Sequence, residues 1–143
     1  MDKYESIKLE NQLCFALYAA SREVIKLYKP LLDKYNLTYT QYITLLVLWE
    51  KEEITVKQIG EKLHLDSGTL SAVLKKLESM ELIIRYRDTK DDRVVIVELS
   101  EKGRLLKDEI LEVPQQMYCK VGLDLEEFKV LKNSLDELLK KFN

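Results

Sequence analysis

Two short amphipathic stretches lie almost end to end in the middle of this chain, and two β-branched runs split by a polar turn follow them. The first, VKQIGEKL, places Val56, Ile59 and Leu63 on one helical stripe behind Thr55, a residue suited to cap it. The second, GTLSAVLKKLESM, places Leu70, Val73, Leu74 and Leu77 on another, with Asp66 or Ser67 as its cap. Only His64 and Leu65 lie between, so the two helices must meet through a tight turn. That is the helix-turn-helix arrangement, whose second helix can enter the major groove of DNA. Any pair of packing helices would show the same stripes. Ile83 to Arg87 and Val94 to Leu99 then alternate as half-buried strands do, with DTKDDR between them as a turn with a basic tip. Helix, turn, helix and hairpin together predict a winged helix.

Helical periodicity extends to both ends. From Lys8 to Lys34, apolar or small side chains recur at helical spacing, and the helix is expected to run to about Leu32, with Pro30 kinking or ending it. A second helix begins after Thr38 or Thr40 and carries YITLLVLWE, which is apolar nearly all round and so belongs at the centre. Ser100 caps a further helix to about Pro114. In the last segment Phe128, Leu131, Leu135, Leu138 and Phe142 form an apolar seam among Lys, Glu, Asp and Asn. The expected fold class is mainly α with a small β-hairpin wing: a winged helix-turn-helix with N- and C-terminal dimerisation helices. Residues 1–143 read as one domain, 38–103 as its DNA-binding lobe, and 1–34 and 104–143 as helices that pair two copies.

The 143 residues hold two cysteines, Cys14 and Cys119. Positions 14, 21 and 28 share one face of the first helix, but fourteen residues of rise separate Cys14 from Tyr28 by about 21 Å. The phenol therefore cannot touch the thiol of its own chain. A two-fold copy crossing antiparallel near Ala19, Ala20 and Ser21 would bring its Tyr28 there, which points to a cysteine housed in a dimer interface. An inert, buried cysteine is the alternative, since free cysteine is among the most buried residue types.

Composition excludes several classes. One histidine and two distant cysteines offer no metal-ligand spacing, and no cofactor motif is present. No apolar run is long enough to span a membrane, and MDKYESIKLEN carries charge where a signal peptide is apolar, so the protein is expected in the cytoplasm. There two cysteines do not make a structural disulfide framework.

Net charge is −2, and residues 55–104 hold ten Lys or Arg against nine Asp or Glu, so bulk charge does not indicate nucleic acid. Placement does so better. Lys75 and Lys76 lie on the second helix of the motif, Arg85 and Arg87 on the first strand, and Lys90 and Arg93 in the turn, where cations can neutralise phosphates on either side of a groove. Ser67, Thr69 and Ser71 offer short hydroxyls, and Gly68 allows close backbone approach. Asp91 and Arg93 can pair to stiffen the wing.

The segments LENQLCFALYAASRE, YKPLLDKYNLTYTQY, LDSGTLSAVLKKLE and DDRVVIVELSEKG together resemble the MarR family of winged-helix regulators, and specifically its organic-hydroperoxide-sensing (OhrR-like) branch of the two-cysteine type. The resemblance covers roughly residues 8–106. It implies a triangular homodimer whose terminal helices interlock and whose two lobes read a pseudo-palindromic operator in double-stranded DNA. It places the peroxide-reactive cysteine at Cys14, the partner-subunit tyrosines that hydrogen-bond it at Tyr28 and Tyr39 with Tyr18 beside them, and the resolving cysteine at Cys119. Two positions depart from the pattern: Ala72 stands where relatives often carry proline, which bears on base preference, and Glu81 stands where they carry glycine, so a residue with a Cβ must leave the helix there.

A sensing cysteine reacts as its thiolate, and a free thiol titrating near about 8.5 needs that anion stabilised at neutral pH. One turn from Cys14 lie Glu10, Asn11, Leu17 and Tyr18, none of them a cation, so tyrosine hydroxyls across a dimer are the expected donors. The expected mechanism is a reduced dimer that binds DNA and represses, then leaves when an organic hydroperoxide oxidises Cys14 and an intersubunit disulfide forms with Cys119. Three readings compete with it: a repressor released by a small phenolic or anionic ligand, a thiol peroxidase using the same cysteines, and a scaffold with no DNA contact.

Overall fold

The structure, a computed structural model, describes residues 2–142. Helix α1 spans Leu13–Leu32, α2 Tyr39–Lys51, α3 Val56–Leu63 and α4 Ser67–Ser79, with strand β1, Glu53–Thr55, between α2 and α3. Strands β2, Ile83–Arg87, and β3, Val95–Leu99, lead into α5, Glu101–Glu109, α6, Glu112–Val121, and α7, Leu125–Lys140. The winged helix-turn-helix is present, and α2 lies at its centre with Tyr42, Leu45, Val47, Leu48 and Trp49 buried.

Caps set the boundaries. Thr38 and Thr55 each close a reciprocal box, with Gln41 and Gln58 respectively, so Thr38 rather than Thr40 starts α2. Asp66 caps α4 by accepting from the Thr69 amide at 2.7 Å, which leaves Ser67 as the first helical residue and not a cap. Ser100 caps α5 through the Gly103 amide.

Three expectations change. The first helix starts at Leu13 and not Lys8, because the Asn11 and Gln12 side-chain amides donate back to the carbonyls of Glu5, Ser6 and Lys8 and hold two 3-10 turns before it. Its end at Leu32 is as expected, with Pro30 inside the helix and a further 3-10 turn, Asp33–Tyr35, after it. The wing is a three-stranded antiparallel sheet in the order β1-β3-β2 and not a lone hairpin, with Ile54 and Arg85 both opposite Val97. The helix after Ser100 breaks at Ile110, and Pro114 falls in the first turn of α6, where a missing N–H costs no helical hydrogen bond. Seven α-helices result among the described residues.

The end of α4 is locked to the start of α5. Glu81 adopts φ +62°, so it does turn the chain in the left-handed region despite its Cβ. Its carbonyl accepts from Ser100 Oγ at 2.6 Å, the Leu82 carbonyl accepts from the Ser100 amide at 3.0 Å, and the Met80 carbonyl accepts from Lys102 Nζ at 3.1 Å. Gly103 packs so closely that a Cβ there would lie 2.2 Å from the Leu82 oxygen. Its own carbonyl accepts from buried Trp49 Nε1 at 2.9 Å. Alanine normally favours a helix interior over glycine by about 1 kcal/mol. Here the overlap is with backbone, so Gly103→Ala is expected to lose about 2 kcal/mol net, seen as a drop of about 4–8 °C in thermal unfolding.

Candidate DNA-facing surface and thiol site

On α4 the burial of Leu70, Val73, Leu74 and Leu77 against the core turns Ser67, Gly68, Thr69, Ser71, Ala72, Lys75 and Lys76 outward. Gly68 has an ordinary helical conformation, and an added Cβ would meet only Asp66 Oδ1 at 3.4 Å. The hydrogen bonds from Thr69 that fix the cap also hold the Asp66 carboxyl below the usual aspartate range. Lys75, Lys76 and Lys90 form no ion pair with the described residues, which leaves their charges free for an outside partner.

The wing arginines differ from one another. Arg93 is 88% exposed and pairs through both Nε and Nη2 with Asp91, whose carboxyl is thereby held low. Arg87 donates to the Asp92 carbonyl across the same turn. Arg85 turns the other way, toward α4, and donates to Glu78 Oε1 at 3.0 Å with its side chain 27% exposed. Of the six cations singled out from the sequence, Arg85, Arg87 and Arg93 thus meet acceptors of the protein's own, while Lys75, Lys76 and Lys90 meet none among the described residues.

Cys14 is the second residue of α1 and is exposed. Gln12, the residue before the helix, makes no side-chain cap, so the open amides of the first turn lie beside the thiol. Of the whole twenty-residue helix only Leu32 is buried, leaving Leu13, Phe15 and Tyr18 uncovered. Tyr18 faces out and pairs with Arg22, whose guanidinium lies 5.2 Å from its ring. Tyr28, fourteen residues along the same continuous helix, is out of reach of Cys14 within one chain.

Tyr28 instead packs on Tyr39 and Tyr42, with ring centroids 4.8 Å and 5.8 Å away, and Tyr39 and Tyr42 lie 6.4 Å apart. Burial is the first cause of a raised pKa in all three, and mutual repulsion of the phenolates raises Tyr28 and Tyr42 further, Tyr42 to about 12. They stay neutral donors at any physiological pH. Tyr42 was absent from the residues singled out by sequence, where it read as core. The signal was its spacing of three from Tyr39, which puts both rings on one face of α2.

Cys119, on α6, is also exposed and free. Beside it α1, α6 and α7 enclose an apolar cavity of about 400 Å³ lined by Val24, Met117, Tyr118, Phe128, Leu131 and Leu135. The α7 seam has no buried residue, so the helix rests on its own chain only in part. Phe142, its last member, is 74% exposed. No group of His, Cys, Asp or Glu that could hold a metal occurs among the described residues, and none of their helices is long and apolar enough to cross a membrane.

Residues 26–110 match the family model described as transcriptional regulator SarA/Rot. The chain is 51% identical over 138 residues to the organic hydroperoxide resistance transcriptional regulator of Bacillus subtilis, spanning 96% of this chain and 94% of that one. It is 36% identical to the HTH-type transcriptional regulator SarZ of Staphylococcus aureus, across 96% and 93% of the two chains. Among solved structures it superposes on AbfR of Staphylococcus epidermidis at 33% identity, with a TM-score of 0.78 over 98% of this chain and 97% of that one. The overoxidised form of AbfR bound to DNA gives a TM-score of 0.81 with 99% of this chain and 100% of that one covered. The disulfide form of AbfR gives 0.64 over 98% and 93%.

The tyrosine cluster generates a pH dependence. Folded Tyr42 keeps its proton up to about 12, whereas the unfolded chain loses it near 10, so stability falls as pH rises between those values. Tyr42→Phe is expected to flatten that alkaline loss while changing stability little at neutral pH. Thermal melts of both proteins across the interval check it.

Proposed function

The chain belongs to the MarR and SarA/Rot winged-helix transcriptional regulators, and on that premise we propose that it is a dimeric sensor that leaves operator DNA when an organic hydroperoxide oxidises Cys14. Its relatives are named regulators, so it is a DNA-binding transcriptional regulator and not a thiol peroxidase. One observation carries the reading: a twenty-residue helix with an apolar stripe, a single buried residue and an exposed cysteine in its first turn. Such a stripe is covered by a second copy, and an antiparallel crossing sets the partner's Tyr28 and Tyr39 against Cys14. Tyr18 borders the same pocket. The groove at α7 takes part in the same interface, so 1–34 and 104–143 pair the copies and 38–103 reads DNA.

The chemistry runs in two steps. The partner's Tyr28 and Tyr39, which burial keeps protonated, are placed as hydrogen-bond donors to the Cys14 sulfur. The thiolate attacks the peroxide, the O–O bond breaks, an alcohol leaves and a sulfenic acid remains. The Cys119 thiol of the other subunit then displaces water and forms a disulfide, which requires the two Cα atoms within about 7 Å. Apolar Leu13 and Phe15 beside the thiol suit an organic hydroperoxide.

The reduced dimer sets its two α4 helices about 34 Å apart in successive major grooves. Ser67, Gly68, Thr69, Ser71 and Ala72 face base edges or nearby phosphates, while Lys75, Lys76, Arg87, Lys90 and Arg93 serve the backbone. Asp91 holds Arg93 at the wing tip. That AbfR is found on DNA when overoxidised, yet departs most from the present fold as a disulfide, supports a route through the disulfide and not through oxidation alone.

The test uses a duplex selected by the reduced protein from random-sequence DNA, with cumene hydroperoxide as oxidant. Peroxide is expected to weaken binding at least about tenfold, a usual size for coupling between sites, and to give a covalent dimer on non-reducing electrophoresis. Cys14→Ser should keep full affinity after peroxide, and Cys119→Ser should form no covalent dimer. Unchanged affinity of the oxidised wild type would sink the proposal.

A further inference from the structure

Arg85 is the one wing cation whose charge is directed into the protein. It alternates with Ile84 and Tyr86 on β2, which places it on the same face of the sheet as buried Ile83, against α4. There its Nη2 donates to Glu78 Oε1 at 3.0 Å, and its Nε is buried with no partner. Glu78 occupies the last turn of α4, seven residues earlier in the chain, just before the corner at Glu81. The pairing lowers the Glu78 carboxyl below its usual range. A guanidinium so placed is partly buried and already holds a carboxylate oxygen, unlike the ammonium groups of Lys75, Lys76 and Lys90.

We propose that Arg85 is a positioning residue which, through Glu78, fixes the angle between the recognition helix α4 and the wing, and that it is not a phosphate contact. The inference rests on the operator-binding reading above, and deepens it by separating the cations that neutralise DNA from the one that sets geometry. A rigid angle matters because the helix must enter the major groove while the tip beyond β2 reaches the flanking backbone or minor groove. The corner between them is the three residues Met80, Glu81 and Leu82, whose carbonyls are tied to Ser100 and Lys102 at the start of α5. The Glu78–Arg85 pair adds a side-chain link across that corner, from helix to strand, beside the backbone hydrogen bonds that the Glu81 and Leu82 amides donate to the Glu78 and Leu77 carbonyls.

The two roles predict opposite responses. A lost phosphate contact lowers the slope of log affinity against log salt by about 0.9 and weakens binding to every sequence alike. Removing a carboxylate near DNA, if it did nothing else, would tighten binding. A lost positioning pair weakens the selected duplex, leaves the salt slope unchanged and makes the two partners non-additive.

Full-length Arg85→Gln, Glu78→Gln and the double variant are compared with wild type on the selected duplex and on a scrambled duplex over a range of salt, with thermal melts to show each is folded. Arg85→Gln and Glu78→Gln are each expected to weaken selected-duplex binding about fivefold, the upper range for a partly exposed pair. The double variant should be no weaker than either single one, and scrambled-duplex affinity and salt slope should stay at the wild-type values. Lys90→Gln, by contrast, should lower the slope. The inference is overturned if Arg85→Gln lowers the slope by about one and Glu78→Gln tightens both duplexes. It is equally overturned if Glu78→Gln leaves selected-duplex binding unchanged. A wild-type protein that selects no duplex at all would instead remove the operator-binding reading, and this inference with it.

Discussion

The contact on which the rest of this molecule depends is the approach of Gly103 to the Leu82 carbonyl. It allows α5 to lie flat against the chain just after the recognition helix, so that Ser100 and Lys102 can satisfy three successive carbonyls at Met80, Glu81 and Leu82. Trp49 then anchors the same turn of α5 to the central helix α2 through a buried hydrogen bond. Recognition helix, sheet, α2 and α5 are thereby one body. In the proposed dimer, any displacement of α6 and α7 reaches α4 through α5 with little slack, because close-packed interiors transmit strain and do not absorb it.

The winged helix was legible because its evidence is local. Thr55, Asp66 and Ser100 are capping residues at correct distances from apolar stripes, and each does cap. What escaped the sequence depended on distant partners. β1 has three residues and one buried side chain, Ile54, and exists only because β3 offers it an edge. The start of α1 was misjudged because Asn11 and Gln12 fit a helical pattern, yet their amides bond backward to the preceding turns. Pro114 read as a terminator when it opens a helix, since proline suits either role and only the break at Ile110 decides between them.

The site was legible in type more than in direction. Cys14 and the phenols at 28 and 39 stood out through the resemblance, and the separation along one helix already argued for a second copy. Tyr42 did not, because an aromatic residue inside an apolar run is ordinarily core, and here it is both core and a member of the tyrosine cluster. Arg85 shows the same limit. Strand alternation reveals that it shares a face with Ile83, but not that Glu78 would be waiting there.

Charge suits the proposed regulation by geometry. Residues 55–104 carry almost no net charge, and two of the cations there are already committed within the protein: Arg85 to Glu78, and Arg104 to Glu52, Glu98 and Glu101. With so little net charge, a single lobe has a weak sequence-independent hold on DNA. Two weak lobes joined rigidly can still bind tightly, since the second engages at high effective concentration once the first is seated, and that advantage vanishes when both cannot engage at once. A near-neutral lobe is therefore suited to a sensor. In the proposed dimer, oxidation would not have to abolish either protein–DNA interface, because altering the distance between two intact interfaces would release both.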